Sequence, residues 1–147
     1  KDMLRLKKKL ILISVFVLLS ILLTAGYFYF HSPRTLADVV GSQFMEPDQI
    51  IVLNGNNGNR KELEVTDKEE LLLLLQKATI QNIESIDLSN GYLGCLEFIK
   101  GNDWFSLTTD GDHSFTINDS DHSKMIVYYL DKENGKKINN IMERYYL

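Results

Sequence analysis

Residues 92–130 read YLGCLEFIKGNDWFSLTTDGDHSFTINDSDHSKMIVYYL, and four stretches within them carry strand signals: 92–100, 103–109, 114–118 and 124–130. Gly101-Asn102, Asp110-Gly111 and residues 118–123 supply turns between them, and links this short join antiparallel neighbours. In the third stretch Phe115 and Ile117 alternate with Ser114, Thr116 and Asn118, giving one dry face and one wet face. A sheet of that kind needs a cover on its dry side.

The cover lies just downstream. Ile138, Ile141, Met142 and Tyr145 recur at i, i+3, i+4 and i+7, which predicts a helix within 136–147, with 131–135 as the turn into it. Upstream, Thr66-Asp67-Lys68-Glu69 is a capping-box sequence that opens a helix from Asp67 to about Ala78. Its five successive leucines, Leu71 to Leu75, cannot share one face, so this helix is expected to be covered on more than one side, by other parts of a small domain, by the preceding segment or by a partner. Earlier still, Ile50 to Leu53 form a strand, and the Asn/Gly run 54–59 returns it as a hairpin into 61–65. Gly55 and Gly58 do not make a phosphate loop, because a strand pattern follows them and no Lys-Ser or Lys-Thr pair does. The expected fold class is α+β, a small antiparallel sheet packed against two helices over 48–147.

The N-terminal part has a different character. The 147 residues carry a net charge of −4, but residues 1–34 hold six basic groups against one acidic, a net +5, while 35–147 hold ten against nineteen, a net −9. Within the first part, residues 10–30 contain no charge. As a helix rising ~1.5 Å per residue, such a run reaches ~31 Å, the thickness of a hydrocarbon core at ~30 Å. Lys7-Lys8-Lys9 directly before it predict a cytoplasmic N-terminus. A cleaved signal peptide would share the basic start and apolar core, but Leu23 at the −3 position of Leu23-Thr24-Ala25 and the apolar extension Tyr27 to Phe30 favour an uncleaved anchor. No cysteine follows within reach of lipid modification, Cys95 being too distant. The expected organisation is a basic cytoplasmic tail (1–9), a transmembrane anchor (10–30), a tether (31–47) broken by Pro33 with room for a short helix in its middle, and an extracytoplasmic domain (48–147).

The residues able to do chemistry are few. Asp110-Gly-Asp-His-Ser and Asp119-Ser-Asp-His-Ser repeat nine residues apart, and Asp110, Asp112, Asp119 and Asp121 are the candidate ligands for a divalent cation. Against an ion-binding loop stand Phe115, where a sharp turn needs glycine, and an extended 114–118, which would hold the two copies roughly 23 Å apart; turn formation by Asp and Ser accounts for both. Cys95 lies on an expected strand in an acidic domain and reads as a buried structural thiol. No nucleophile, metalloprotease or dithiol motif is present, so no enzyme and no cofactor is expected. A −9 domain would repel nucleic acid. Tyr92, Trp104, Tyr128 and Tyr129 are the candidate binding residues; Tyr128 and Tyr129 point to opposite faces, so one of that pair is expected at the surface.

With its basic start, single apolar span and acidic α+β domain, the chain resembles small uncharacterised single-pass extracytoplasmic domain proteins of Gram-positive bacteria. The residues that carry the likeness are Thr66-Asp67-Lys68-Glu69-Glu70-Leu71, Gly91-Tyr92 to Phe98, and Tyr128-Tyr129-Leu130-Asp131 before the last helix. The layout is also similar to compact inhibitor-like binding modules, and the resemblance supplies no catalytic set. It implies a membrane-tethered sensor, inhibitor or immunity-type module, held in the bilayer by residues 10–30, that binds a protein or peptide at the cell surface. A divalent-cation-binding surface domain built on the Asp-His turns is the alternative.

Overall fold

The chain separates into two units, Lys1–Ser32 and Pro33–Leu147, and a computed structural model describes residues 2–86, 93–118 and 125–146 of it. In the first unit a single helix, α1 (Asp2–His31), takes in the whole apolar run and continues back through the basic tail. The hydroxyls of Ser14, Ser20 and Thr24 donate to the carbonyls of Leu10 (3.3 Å), Phe16 (2.9 Å) and Ser20 (2.7 Å). The few polar side chains of the run therefore find partners inside their own helix.

In the second unit, α2 (Leu36–Val40) and a 3₁₀ turn (Ser42–Phe44) precede β1 (Gln49–Asn54) and β2 (Arg60–Glu62). Then come α3 (Val65–Lys77), β3 (Ile80–Ile86), β4 (Gly94–Lys100), β5 (Asp103–Thr109), β6 (Ser114–Asn118), β7 (Met125–Leu130) and α4 (Lys132–Glu143). The strands form one seven-stranded sheet in the order β2-β1-β4-β5-β6-β7-β3, every pairing antiparallel. The α+β architecture is as expected, but the sheet is larger than the small one anticipated. Part of the reason is β3, whose isoleucines fall three apart at 80, 83 and 86 instead of alternating. A bulge between Ile80 and Asn82 resets the parity, so that Ile80 opposes Leu130 and Ile83 opposes Tyr128.

Register fixes the core. Ile50 opposes Phe98, Val52 opposes Leu96, Leu96 opposes Leu107 and Thr109 opposes Phe115, so these side chains share a face. That face is buried together with Leu71, Leu74 and Leu75 of α3 and Ile138, Ile141 and Met142 of α4. Leu36, Val40 and Phe44 belong to the same core. The segment 31–47 is thus not a tether along its length, because the folded unit starts at Pro33. Leu36 N–H donates to the Ala78 carbonyl (3.0 Å), Ile80 N–H to the Arg34 carbonyl (2.8 Å), and Thr35 bridges Thr79. This segment also resolves the leucine run: α2 packs on α3, Leu71, Leu74 and Leu75 are buried, Leu72 is half-buried, and Leu73 stays exposed.

Both long helices begin earlier than the sequence suggests. The α3 helix has Glu64 at its N-cap with no side-chain cap, and the Thr66 capping box does not form. Instead the Tyr145 hydroxyl accepts the Glu64 N–H (3.1 Å) and donates to Asp67, which also receives Arg144 (2.7 Å). Asp67 is taken by the end of α4, and a tertiary contact has replaced a local cap. The α4 helix starts at Lys132 because Asp131 caps it, accepting the Asn134 N–H at 3.0 Å. The same carboxylate accepts the Thr79 N–H at 2.8 Å and so ties the helix start to the α3–β3 junction.

Burial pushes the Asp131 carboxyl up, but the hydrogen bonds from Asn134 and Thr79 outweigh it and hold the group below the ordinary carboxylate value. A carboxyl depressed in the folded state adds stability above its unfolded value near ~3.9, and that stability is lost as pH falls through the folded value. We predict that Asp131→Asn flattens the acid limb of thermal stability below about pH 4. Parallel limbs for the two proteins would show that this carboxylate adds nothing.

Candidate functional site

The face turned away from the helices carries a different set of side chains. Across the strands, Gln49, Ile99 and Trp104 form one row; Glu62, Ile51, Glu97 and Ser106 the next; Arg60, Leu53, Cys95 and Thr108 the third. Gly101, at φ 59°, takes the left-handed conformation that the tight β4–β5 turn needs. The strand leaving that turn sends Phe105 inward, where its ring centroid lies 5.5 Å from that of Phe44 and 6.0 Å from that of Phe98. Its neighbour Trp104 is thereby directed to the opposite face and is 62% exposed.

Beside the indole is a groove of about 350 Å³ lined by Arg60, Glu97, Ile99, Asn102, Asp103 and Trp104. Arg60 forms an ion pair with Glu97 across it, with the arginine side chain 53% exposed and the glutamate side chain 20%. The groove sits at the end of the sheet marked by the β4–β5 turn. The chain enters the unit near the opposite end, where Thr35 meets Thr79 and Ile80 opposes Leu130. A seven-residue strand such as β5 separates two such ends by roughly 23 Å.

The sequence candidates fare differently. Trp104 is at the groove. Tyr128 is not a surface residue: it opposes Phe115 on the helix-covered face and is buried, which raises its phenol. Tyr129 is the more accessible member of that pair and is half-buried, but its hydroxyl donates to Glu84 (3.3 Å) near the other edge of the sheet, and its ring lies edge-on to His113 at 5.9 Å. Tyr92 falls outside the described residues, as do Asp119 and Asp121. Asp110 and Asp112 occupy the β5–β6 turn, where Asp110 accepts the Asp112 N–H (3.4 Å) and Asp112 contacts His113 Nδ1 (2.8 Å). Among the described residues no three His, Cys, Asp or Glu side chains converge on one point.

Cys95 is buried on the groove face of β4, and burial, followed by the charge of Glu97, pushes its thiol up to about 12. Little thiolate exists at neutral pH, so this sulfur is a poor nucleophile. Arg60, Glu97, Ile99, Asn102 and Asp103 were not singled out by sequence. Their only signal is cross-strand register, which appears once β1, β2, β4 and β5 are known to be neighbours.

Among solved structures, the fold is similar to a crystal structure described as "Putative Lipoprotein from Clostridium perfringens", with TM-score 0.58 and 18% sequence identity, covering 78% of this chain and 98% of that one. At this identity the likeness is one of fold. No family model and no curated protein matches the chain.

Proposed function

We propose that the protein is a single-pass membrane protein whose acidic unit stands outside the cytoplasm and binds a protein or peptide through the Trp104 face, acting as a binding module and not an enzyme. The observation that carries this reading is the state of α1: every large apolar side chain between residues 10 and 30 is at least half exposed. Leaving sixteen such side chains in water would cost on the order of 20 kcal/mol, and a bilayer removes that cost. The lysines at 7–9 support an N-terminus held on the cytoplasmic side. The described fold likeness to a protein named as a lipoprotein agrees with a surface location.

Protease added to intact cells should remove the acidic unit and spare the basic tail, and crosslinking through the unit should yield a partner band that Trp104→Ala abolishes. An acidic unit protected in intact cells but cleaved in lysed ones would overturn the topology. A partner band unchanged by Trp104→Ala would overturn the contact face.

A further inference from the structure

We infer that the Trp104 groove receives a cationic side chain, the guanidinium or ammonium of an arginine or lysine on a peptide partner. This rests on the reading of the groove as the contact surface and adds the chemical class of what enters it. Three observations support it. The indole is 62% exposed, and tryptophan offers the strongest ring face to a cation. Glu97 and Asp103 line the groove and Glu62 lies two strands from Glu97 in the same row, against Arg60 as the one lining cation among the described residues. Of two other nearby cations, Lys100 donates to the Glu46 carbonyl at 2.6 Å and lies 3.6 Å from Asp48, and Lys61 opposes Val52 and so belongs to the other face of the sheet.

The third observation is Arg60 itself. It reaches Glu97 from 37 residues away and remains half exposed, so the groove already accepts one guanidinium from its own chain. An arriving guanidinium meets that carboxylate, with Asp103 and the indole face beside it. The surrounding unit, net −9 over residues 35–147, attracts the same kind of partner from a distance.

The test uses the full chain in nanodiscs of zwitterionic phosphatidylcholine, so that lipid does not compete for the peptide. The probe is a fluorescent nonapeptide with three arginines in a Gly/Ser background; the controls replace arginine by citrulline, its neutral isostere, or by leucine. The arginine peptide is expected to bind at least about tenfold tighter than the citrulline one, to weaken as salt is raised, and to lose about tenfold on Trp104→Ala. Because Trp104 is the only tryptophan, its emission should respond directly in the wild type. Glu97→Gln and Asp103→Asn should each weaken binding several-fold, while Glu84→Gln, at the far edge of the sheet, should not. Three outcomes overturn the inference: arginine and citrulline peptides binding alike, Glu84→Gln weakening binding as much as Glu97→Gln, or absence of binding to all three peptides. If the leucine peptide binds tightest and is lost on Trp104→Ala, the groove remains the contact face and only its cationic chemistry falls.

Discussion

A chain ended after Asp131 should lose the folded unit altogether. Ile138, Ile141 and Met142 of α4 are completely buried against the sheet and α3. Burying each is worth about 1.5–3 kcal/mol, so the three together supply some 5–9 kcal/mol, comparable with the entire stability of a typical domain at 5–15 kcal/mol. Truncation would also expose Leu96, Leu107 and Phe115 on the sheet and cut the Tyr145 and Arg144 contacts to Asp67 at the start of α3. Amide hydrogen exchange of the full-length and truncated chains in micelles measures this without interference from α1. Strands β4 to β7 should exchange at unfolded rates after truncation, and protection retained there would refute the assignment of α4 as the cover. Point variants grade the same effect: Ile138→Ala and Ile141→Ala should each cost about 2–5 kcal/mol.

How far the sequence discloses this molecule depends on the range of the interaction involved. The meander β4–β7 is legible because alternation and turn-forming residues between strands are local signals, and the cover helix because four apolar residues fall on one stripe. The apolar span is legible for the same reason: it needs no partner in the chain. Leu36, Val40 and Phe44 recur every four residues, but α2 is only five residues long and ends at Gly41, too short a helix to tell one seated in the core from one in a linker. The Ile80/Asn82 bulge hides β3 by breaking the alternation that announces a strand. The Thr66 capping box is a correct local preference overruled by Tyr145, which lies 78 residues from Asp67 in sequence. The groove is the least legible part, since it exists only where β2, β1, β4 and β5 come side by side. Alternation told that Tyr128 and Tyr129 face opposite ways, but which one is buried depends on where the helices lie.

Gly135 sets two known effects against each other, and their sizes decide the sign. It was expected to be a turn residue before the last helix, yet it lies inside α4 and is buried. In an exposed helix interior, replacing glycine by alanine gains roughly 0.8–1.0 kcal/mol. Here a Cβ at 135 would stand 2.8 Å from His113 Cβ and 3.0 Å from His113 Cα. The second of these is backbone, held by the hydrogen bond from Leu130 N–H to the His113 carbonyl (2.8 Å), so a rotamer change cannot relieve it. The helix would have to move outward. Nearby, buried Asn139 accepts the Thr109 hydroxyl (3.0 Å) and donates to the Asp112 carbonyl, as well as to the Gly135 carbonyl (3.2 Å) of its own helix, so that shift strains the two hydrogen bonds that join the helix to the end of the sheet. Overpacking of this kind costs about 1–3 kcal/mol before any buried hydrogen bond is lost at about 1–3 kcal/mol more, which exceeds the gain in helix propensity. Gly135→Ala should therefore lower the melting temperature of the folded unit, and Gly135→Val should lower it further, since a β-branched side chain adds volume at the same contact. Lys136→Ala, one residue on and exposed, controls for propensity alone and should leave it nearly unchanged. A Gly135→Ala protein more stable than the wild type would mean that the helix can withdraw from the β5–β6 turn without cost, and that close approach is not why glycine stands there.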